Sequence, residues 1–173
     1  MPSADAGEAT AEEAEPAPAE GSGSECVSLV EDAVVADAYA RGTAKLEEAR
    51  DGEHYLAGPF EEALGALLIA AQQGHRGAQS LYGRTMFQAR FMVQGPVEEE
   101  HDDYVFAFTF LRIAALRDDP DAKSFFPGLT EAAPPTDQPP LDQIPAQWLT
   151  EAFTHADEWM ACHGDAVGDR GVE

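Results

Sequence analysis

The sequence predicts an all-α protein, a stack of antiparallel helical hairpins closed by a C-terminal capping helix. Three observations lead there. Apolar residues recur three and four apart along most of the chain, the spacing of a single helix face. No stretch alternates apolar and polar residues convincingly over strand length. The chain also resembles itself when shifted by 44 residues, a period typical of helical repeat units.

The elements follow in chain order. Residues 1–25 are almost entirely Ala, Glu, Pro, Gly and Ser, without aromatic or branched aliphatic side chains. Such a segment buries too little apolar surface to offset its ordering entropy, so a disordered acidic tail is expected. The helical repeats are expected over 26–126. A first helix from Cys26 to Arg50 places Val27, Val30, Val34 and Ala38 on one face, widened by Leu29, Ala33, Ala36 and Ala40. Asp51-Gly52 is its stop. Pro59 suits the first turn of the next helix, where Phe60, Ala63, Leu64, Leu67, Leu68 and Ala71 follow the amphipathic template throughout. Gly74 ends it as a C′ glycine.

A third helix, from about Arg76 to Phe91, repeats the template in Ala78, Leu81, Tyr82, Thr85, Met86 and Ala89. Gly95-Pro96 opens a polar loop through Asp103. Tyr104, Ala107, Phe108, Leu111 and Ala115 then mark a fourth helix, which Phe106, Phe110 and Ile113 make apolar nearly all round. That helix should be covered on more than one side. Six prolines between 127 and 145 predict an extended connector. Leu149, Ala152, Phe153, Ala156 and Met160 define a last helix over 146–163, and 164–173 is expected to be a disordered tail.

At the shift of 44, Ala63 falls on Ala107, Leu67 on Leu111, Ile69 on Ile113, Ala70 on Ala114, Ala71 on Ala115 and Ala78 on Ala122. The preceding helices align at 43, with Tyr39-Ala40-Arg41-Gly42 opposite Tyr82-Gly83-Arg84-Thr85. Paired alanines allow close helix approach, and the leucines fill the space between. The string Ala70-Ala71-Gln72-Gln73-Gly74, with Ala78 after it and Leu81-Tyr82-Gly83 beyond, resembles the Sel1-like branch of the tetratricopeptide-type repeats. The second copy departs from that pattern, because Asp118-Asp119-Pro120 replaces the glycine turn. The resemblance spans roughly residues 35–125. It implies a right-handed α-α superhelix presenting a concave surface, an adaptor or scaffold role, and no shared active site.

Composition narrows the function. Acidic residues outnumber basic ones 33 to 10, for a formal net charge of −23. The first 25 residues carry seven acids and no base, so the remainder still stands near −16. That balance disfavours nucleic acid and anionic membrane as partners, since both require a positive surface. It accommodates a basic protein, and it also serves solubility. The start lacks the basic and apolar regions of a secretory signal, and no apolar run approaches a membrane span, so a cytoplasmic location is expected. Cys26 and Cys162 form either one disulfide or two free thiols, but not a disulfide framework.

Few constellations suggest chemistry. The run Glu98-Glu99-Glu100-His101-Asp102-Asp103 reads as a solvated loop whose aspartates favour the next helix start. It lacks the order of a calcium loop. His155, Cys162 and His163 have poor zinc spacing. Gly74-His75-Arg76-Gly77 hints at phosphate binding, but no Lys-Ser/Thr follows and no strand precedes, so it reads as an interhelical turn. Gly65 and Gly83 lie inside helices, where close helix contact is the usual compensation. No catalytic, cofactor or metal residue is assigned.

The partner-binding candidates are Tyr39, Tyr82 and Arg84, at equivalent repeat positions, with Phe106 and Phe110 from the over-apolar helix. Both tyrosines could instead pack between repeats. The expected function is a non-enzymatic protein–protein interaction module, with self-association open to it. The alternative is an acidic cognate-binding protein, such as a secretion chaperone or an immunity protein neutralising a basic partner. The last helix either caps the stack or fills its groove, with Trp148 and Trp159 as large apolar groups in both cases.

Overall fold

The structure, a computed structural model, describes residues 26, 28–51, 54–91, 101–137, 141–168 and 170–171. The predicted tail 1–25 and the acidic run at 98–100 lie outside the described residues. The described chain is helical: α1 (Asp32–Ala49), α2 (Ala57–Gln72), α3 (Arg76–Met86), α4 (His101–Leu116), α5 (Pro120–Phe125) and α6 (Ala146–Val167). A two-residue antiparallel ladder, Arg50 opposite Tyr55 and Asp51 opposite His54, links α1 to α2.

Consecutive helices pack as neighbours, α1 on α2, α2 on α3 and α3 on α4, and α6 returns to cover α4. One core joins Val35, Ala38 and Leu46 of α1 to Phe60, Leu64 and Leu67 of α2 and to Tyr82 and Met86 of α3. A second joins Tyr104, Phe108 and Leu111 of α4 to Phe126, Leu141, Trp148, Leu149 and Phe153. Helix α4 contributes to both, with Phe110 and Ile113 in the first core. That explains its apolar circumference: neighbours on several sides cover it.

The 44-residue repeat is written in the backbone. In the turn after α2, the N–H groups of Gln73, Gly74 and His75 donate to the carbonyls of Ile69, Ala71 and Ala70 at 3.2, 3.1 and 3.0 Å. In the turn after α4, Arg117, Asp118 and Asp119 donate to Ile113, Ala115 and Ala114 at 3.1, 3.1 and 2.9 Å. The caps repeat too, Ala78 N–H donating to His75 Nδ1 at 3.1 Å and Ala122 N–H to Asp119 Oδ1 at 2.8 Å. Asp118 even adopts the positive φ of Gly74, +63° against +87°. Losing the glycine therefore leaves the turn unchanged in form, because aspartate is among the few side chains that tolerate the left-handed region.

The first helices of the two hairpins align differently from the sequence expectation. A Cβ on Gly42 would lie 2.7 Å from Leu67 Cγ, and one on Gly83 would lie 2.5 Å from Leu111 Cγ. Leu67 and Leu111 are repeat equivalents, so Gly83 takes the place of Gly42. The offset here is 41 rather than 43, and Tyr82 is not the counterpart of Tyr39. Gly65, in contrast, has nothing within 4 Å of a built Cβ, so close contact does not account for it.

Three further expectations need correction. Helix α1 starts at Asp32 and buries Val35, Ala38, Gly42, Leu46 and Ala49; Val35 is 1% exposed while Val34, expected inside, is 52% exposed. The third helix keeps its expected span to Phe91, but it leaves α geometry after Met86 and closes with a π turn over Phe87–Phe91. The proline-rich connector is packed rather than merely extended, with Leu129, Leu141 and Ile144 buried and a 3-10 turn at Leu141–Gln143.

Arg112, itself 4% exposed, holds that connector. Its Nη1 donates to the carbonyls of Leu129 and Glu131 at 2.8 and 2.7 Å. Its Nε and Nη2 reach Asp157 Oδ1 on α6 at 3.0 and 2.9 Å. The guanidinium carbon sits 4.1 Å over the Phe153 ring, a cation–π geometry.

The chain beyond 163, expected to be a tail, continues α6 to Val167 and then packs back. Arg117 Nη1 donates to Gly74 O at 2.7 Å, and its Nη2 to Gly168 O and Arg170 O at 3.1 and 3.2 Å. Arg170 donates to Gln73 O at 2.8 Å and pairs with Asp32. A disulfide joins Cys26 to Cys162, with Cα atoms 5.5 Å apart across a separation of 136 residues. In chain-entropy terms, closing so long a loop stabilises the fold by up to about 4–5 kcal/mol.

Candidate functional site

Two concavities receive four of the five sequence-derived candidates. The first is an apolar groove whose floor is α4. Phe106, Thr109 and Phe110 point into it, Gln72 and Gln73 come from the end of α2, and His155, Trp159 and His163 come from α6. Leu29, in the strap before α1, closes one side. Its volume is about 420 Å³, room for one or two apolar side chains of a ligand.

Local structure explains the arrangement. Thr109 Oγ1 donates to the Ala152 carbonyl at 3.2 Å, and Arg112 ties α4 to Asp157 one turn further along. These bonds set the α4–α6 spacing and leave Phe106 42% exposed beside them. The strap is held by the disulfide at Cys26 and by Val30 N–H donating to Gln73 Oε1 at 2.8 Å. The last helix is thus a wall of the groove, neither its occupant nor a plain end cap. Cys162 is consumed by the disulfide, so it offers no thiolate to a metal. Among the described residues, no three His, Cys, Asp or Glu side chains gather into a metal-sized cluster, and no helix is long and apolar enough to cross a membrane.

Near the groove, His101 joins α4 to α6. Its Nδ1 lies 2.8 Å from Asp102 Oδ1 and its Nε2 lies 2.9 Å from Glu151 Oε2. Trp148 meets the ring edge-on at 5.2 Å. Hydrogen bonds to Asp102 first, and then to Glu151, raise the imidazole above the ordinary histidine value. Because the folded value is raised, the stabilising contribution is complete below about pH 6.5, the ordinary value for histidine. It disappears as pH rises through the folded value. An NMR titration should place the His101 imidazole above an exposed histidine, and Glu151→Gln should lower it part of the way, with Asp102 keeping the rest of the shift. An unchanged titration in that variant would exclude Glu151 as a partner.

The second concavity is polar and occupies about 370 Å³. Tyr39, Arg76, Gly77, Ser80, Leu81 and Arg84 line it from α1 and α3, with His75 and Gly171 behind them and Asp119, Pro120 and Asp121 opposite. Tyr39 stacks on His75 with ring centroids 4.0 Å apart. Arg84 Nη2 pairs with Asp121 at 2.9 Å, and Arg76 Nη1 donates to the Arg117 carbonyl at 2.9 Å. Arg76 Nε, Ser80 Oγ and Arg84 Nε are buried without a hydrogen-bond partner. Each such group costs about 1–3 kcal/mol when left unsatisfied.

The candidates therefore separate. Phe106 and Phe110 share the apolar groove, while Tyr39 and Arg84 share the polar one. Tyr82 belongs to neither: it is 4% exposed and packs edge-on against Phe110 at 5.7 Å between the hairpins. Sequence reasoning missed Trp159 and Ser80 as lining residues, and it set Arg76 aside as part of an interhelical turn. The spacing of Arg76, Ser80 and Arg84 every four residues was a readable signal for one face of α3.

Among the described residues, the class of protein that emerges is a helical one whose hairpin turn repeats after 44 residues, with an apolar and a polar concavity on separate elements. Comparison with family models, with curated proteins and with solved structures finds no match to the chain.

Proposed function

We propose that the protein is a non-enzymatic interaction module that holds a segment of another protein in the groove between α2, α4 and α6. The carrying observation is Phe106, a large side chain left 42% exposed among Leu29, Phe110 and Trp159. Exposed apolar surface gathered in a groove is characteristic of helix or peptide docking. The shared turn geometry and the paired glycine–leucine contacts support a right-handed stack of Sel1-like hairpins as the scaffold.

The Cys26–Cys162 bridge favours an oxidising compartment over the cytoplasmic location expected from the sequence, because cytosolic thiols are kept reduced. The net charge of −23 gives a basic partner a faster approach. That same charge supports the second reading, an acidic protein that neutralises a basic cognate.

The test is an affinity capture with the wild-type chain and with Phe106→Asp, each washed at low and high salt. A partner kept by the wild type at high salt and lost by Phe106→Asp is the expected result. A partner kept by the variant but shed at high salt would replace the groove reading with the charge-driven one. Self-association would appear as the chain capturing itself.

A further inference from the structure

We propose that the polar concavity between α1, α3 and α5 binds a phosphate monoester, with Arg76, Ser80 and Arg84 holding the phosphate and Tyr39 and Leu81 flanking the organic part. The site is distinct from the apolar groove and does not depend on it.

Three buried donors carry the inference. Arg76 Nε, Ser80 Oγ and Arg84 Nε all lack partners, and all three residues line the same cavity. Ser80 itself is 1% exposed. The residues stand at i, i+4 and i+8 on α3, one above another along a single face. Eight residues of helix rise about 12 Å, so the three side chains line a strip of that length along the cavity wall. Two cations and a hydroxyl lining one cavity suit an oxyanion.

The other charged groups facing the cavity are already engaged. Asp119 Oδ1 accepts from Ala122 N–H at 2.8 Å, as the cap of α5. Asp121 takes Arg84 Nη2, leaving Arg84 Nε for a ligand. Asp118, close by, pairs with Lys123.

Shape selects an ester over bare phosphate. The cavity, about 370 Å³, is several times larger than a phosphate ion. Its remaining wall is Leu81 and the Tyr39 ring, held in place by stacking on His75 and by Gly77, where a Cβ would come within 3.2 Å of the tyrosine hydroxyl. An apolar or aromatic group attached to the phosphate would lie there.

The experiment is calorimetric titration of the full chain with phenyl phosphate, inorganic phosphate and benzoate, repeated with Ser80→Ala and Arg76→Gln. Ser80→Ala removes a hydroxyl that has no partner, so its unfolding midpoint should not fall. Phenyl phosphate should bind most tightly, and each variant should weaken it by about tenfold or more, as for loss of one hydrogen bond to a charged ligand. No heat from phenyl phosphate at millimolar concentration would overturn the proposal. So would equal affinity in wild type and Ser80→Ala, or inorganic phosphate or benzoate binding as well as the ester.

Discussion

Replacing Arg112 with methionine is expected to lower the unfolding free energy by about 4–7 kcal/mol. Methionine keeps most of the side-chain volume, so the loss isolates what the guanidinium does. Two charge-assisted hydrogen bonds to the Leu129 and Glu131 carbonyls disappear, each worth about 1.5–3 kcal/mol. The contact with the Phe153 ring adds about 1 kcal/mol. The pair with Asp157 adds little, because that carboxylate side chain is 58% exposed. Asp157→Asn should therefore cost less than about 1 kcal/mol. Chemical denaturation of the two variants reads the difference. Equal losses would mean that the ion pair, rather than the anchoring of connector carbonyls, holds this region.

Gly83→Ala and Gly65→Ala should move stability in opposite directions. Both glycines sit in helix interiors, where alanine is favoured by about 1 kcal/mol. At Gly65 that gain is realised, since nothing lies within 4 Å of the added methyl. At Gly83 the methyl would come within 2.5 Å of Leu111 Cγ and 2.6 Å of the Ala107 carbonyl oxygen. The leucine could rotate, but the carbonyl belongs to the α4 backbone and moves only with the helix. Overpacking of this kind costs about 1–3 kcal/mol, and the backbone contact puts Gly83→Ala at the upper end. Thermal unfolding should show Gly65→Ala above the wild type and Gly83→Ala several degrees below it. A Gly83→Ala midpoint at or above the wild type would mean that α3 and α4 are not held at this distance.

The legible part of the fold was the part whose burial is one-sided and periodic. The face of α2 was read correctly from Phe60 through Ala71, and the alanine and leucine matches at 44 residues led to a turn that repeats bond for bond. Helix α1 was misread because its face is chosen by Gly42, which must sit against Leu67. A glycine carries no hydrophobic signal, so the valines at 30 and 34 were given weight that the structure does not support. Arg112 was invisible for the converse reason: a charged residue in an apolar helix looks like its solvent side until its long-range partners are known. The same holds for the connector, whose prolines announced extension but not the burial of Leu129 and Leu141. Among the site candidates, Phe106 and Phe110 were found through surplus apolarity. Tyr39 and Arg84 were found through a repeat register that the glycine contacts revise.

The sulfur bridge between Cys26 and Cys162 also decides how the protein carries load. If its two ends are pulled apart, the tension enters at one cysteine and leaves at the other. The hairpins in between form a slack branch outside the line of force, so stretching the termini does not unzip them. A nick in the connector would likewise leave one covalently continuous molecule while the bridge lasts. Reduction removes both protections at once and returns every helix to the mechanical path.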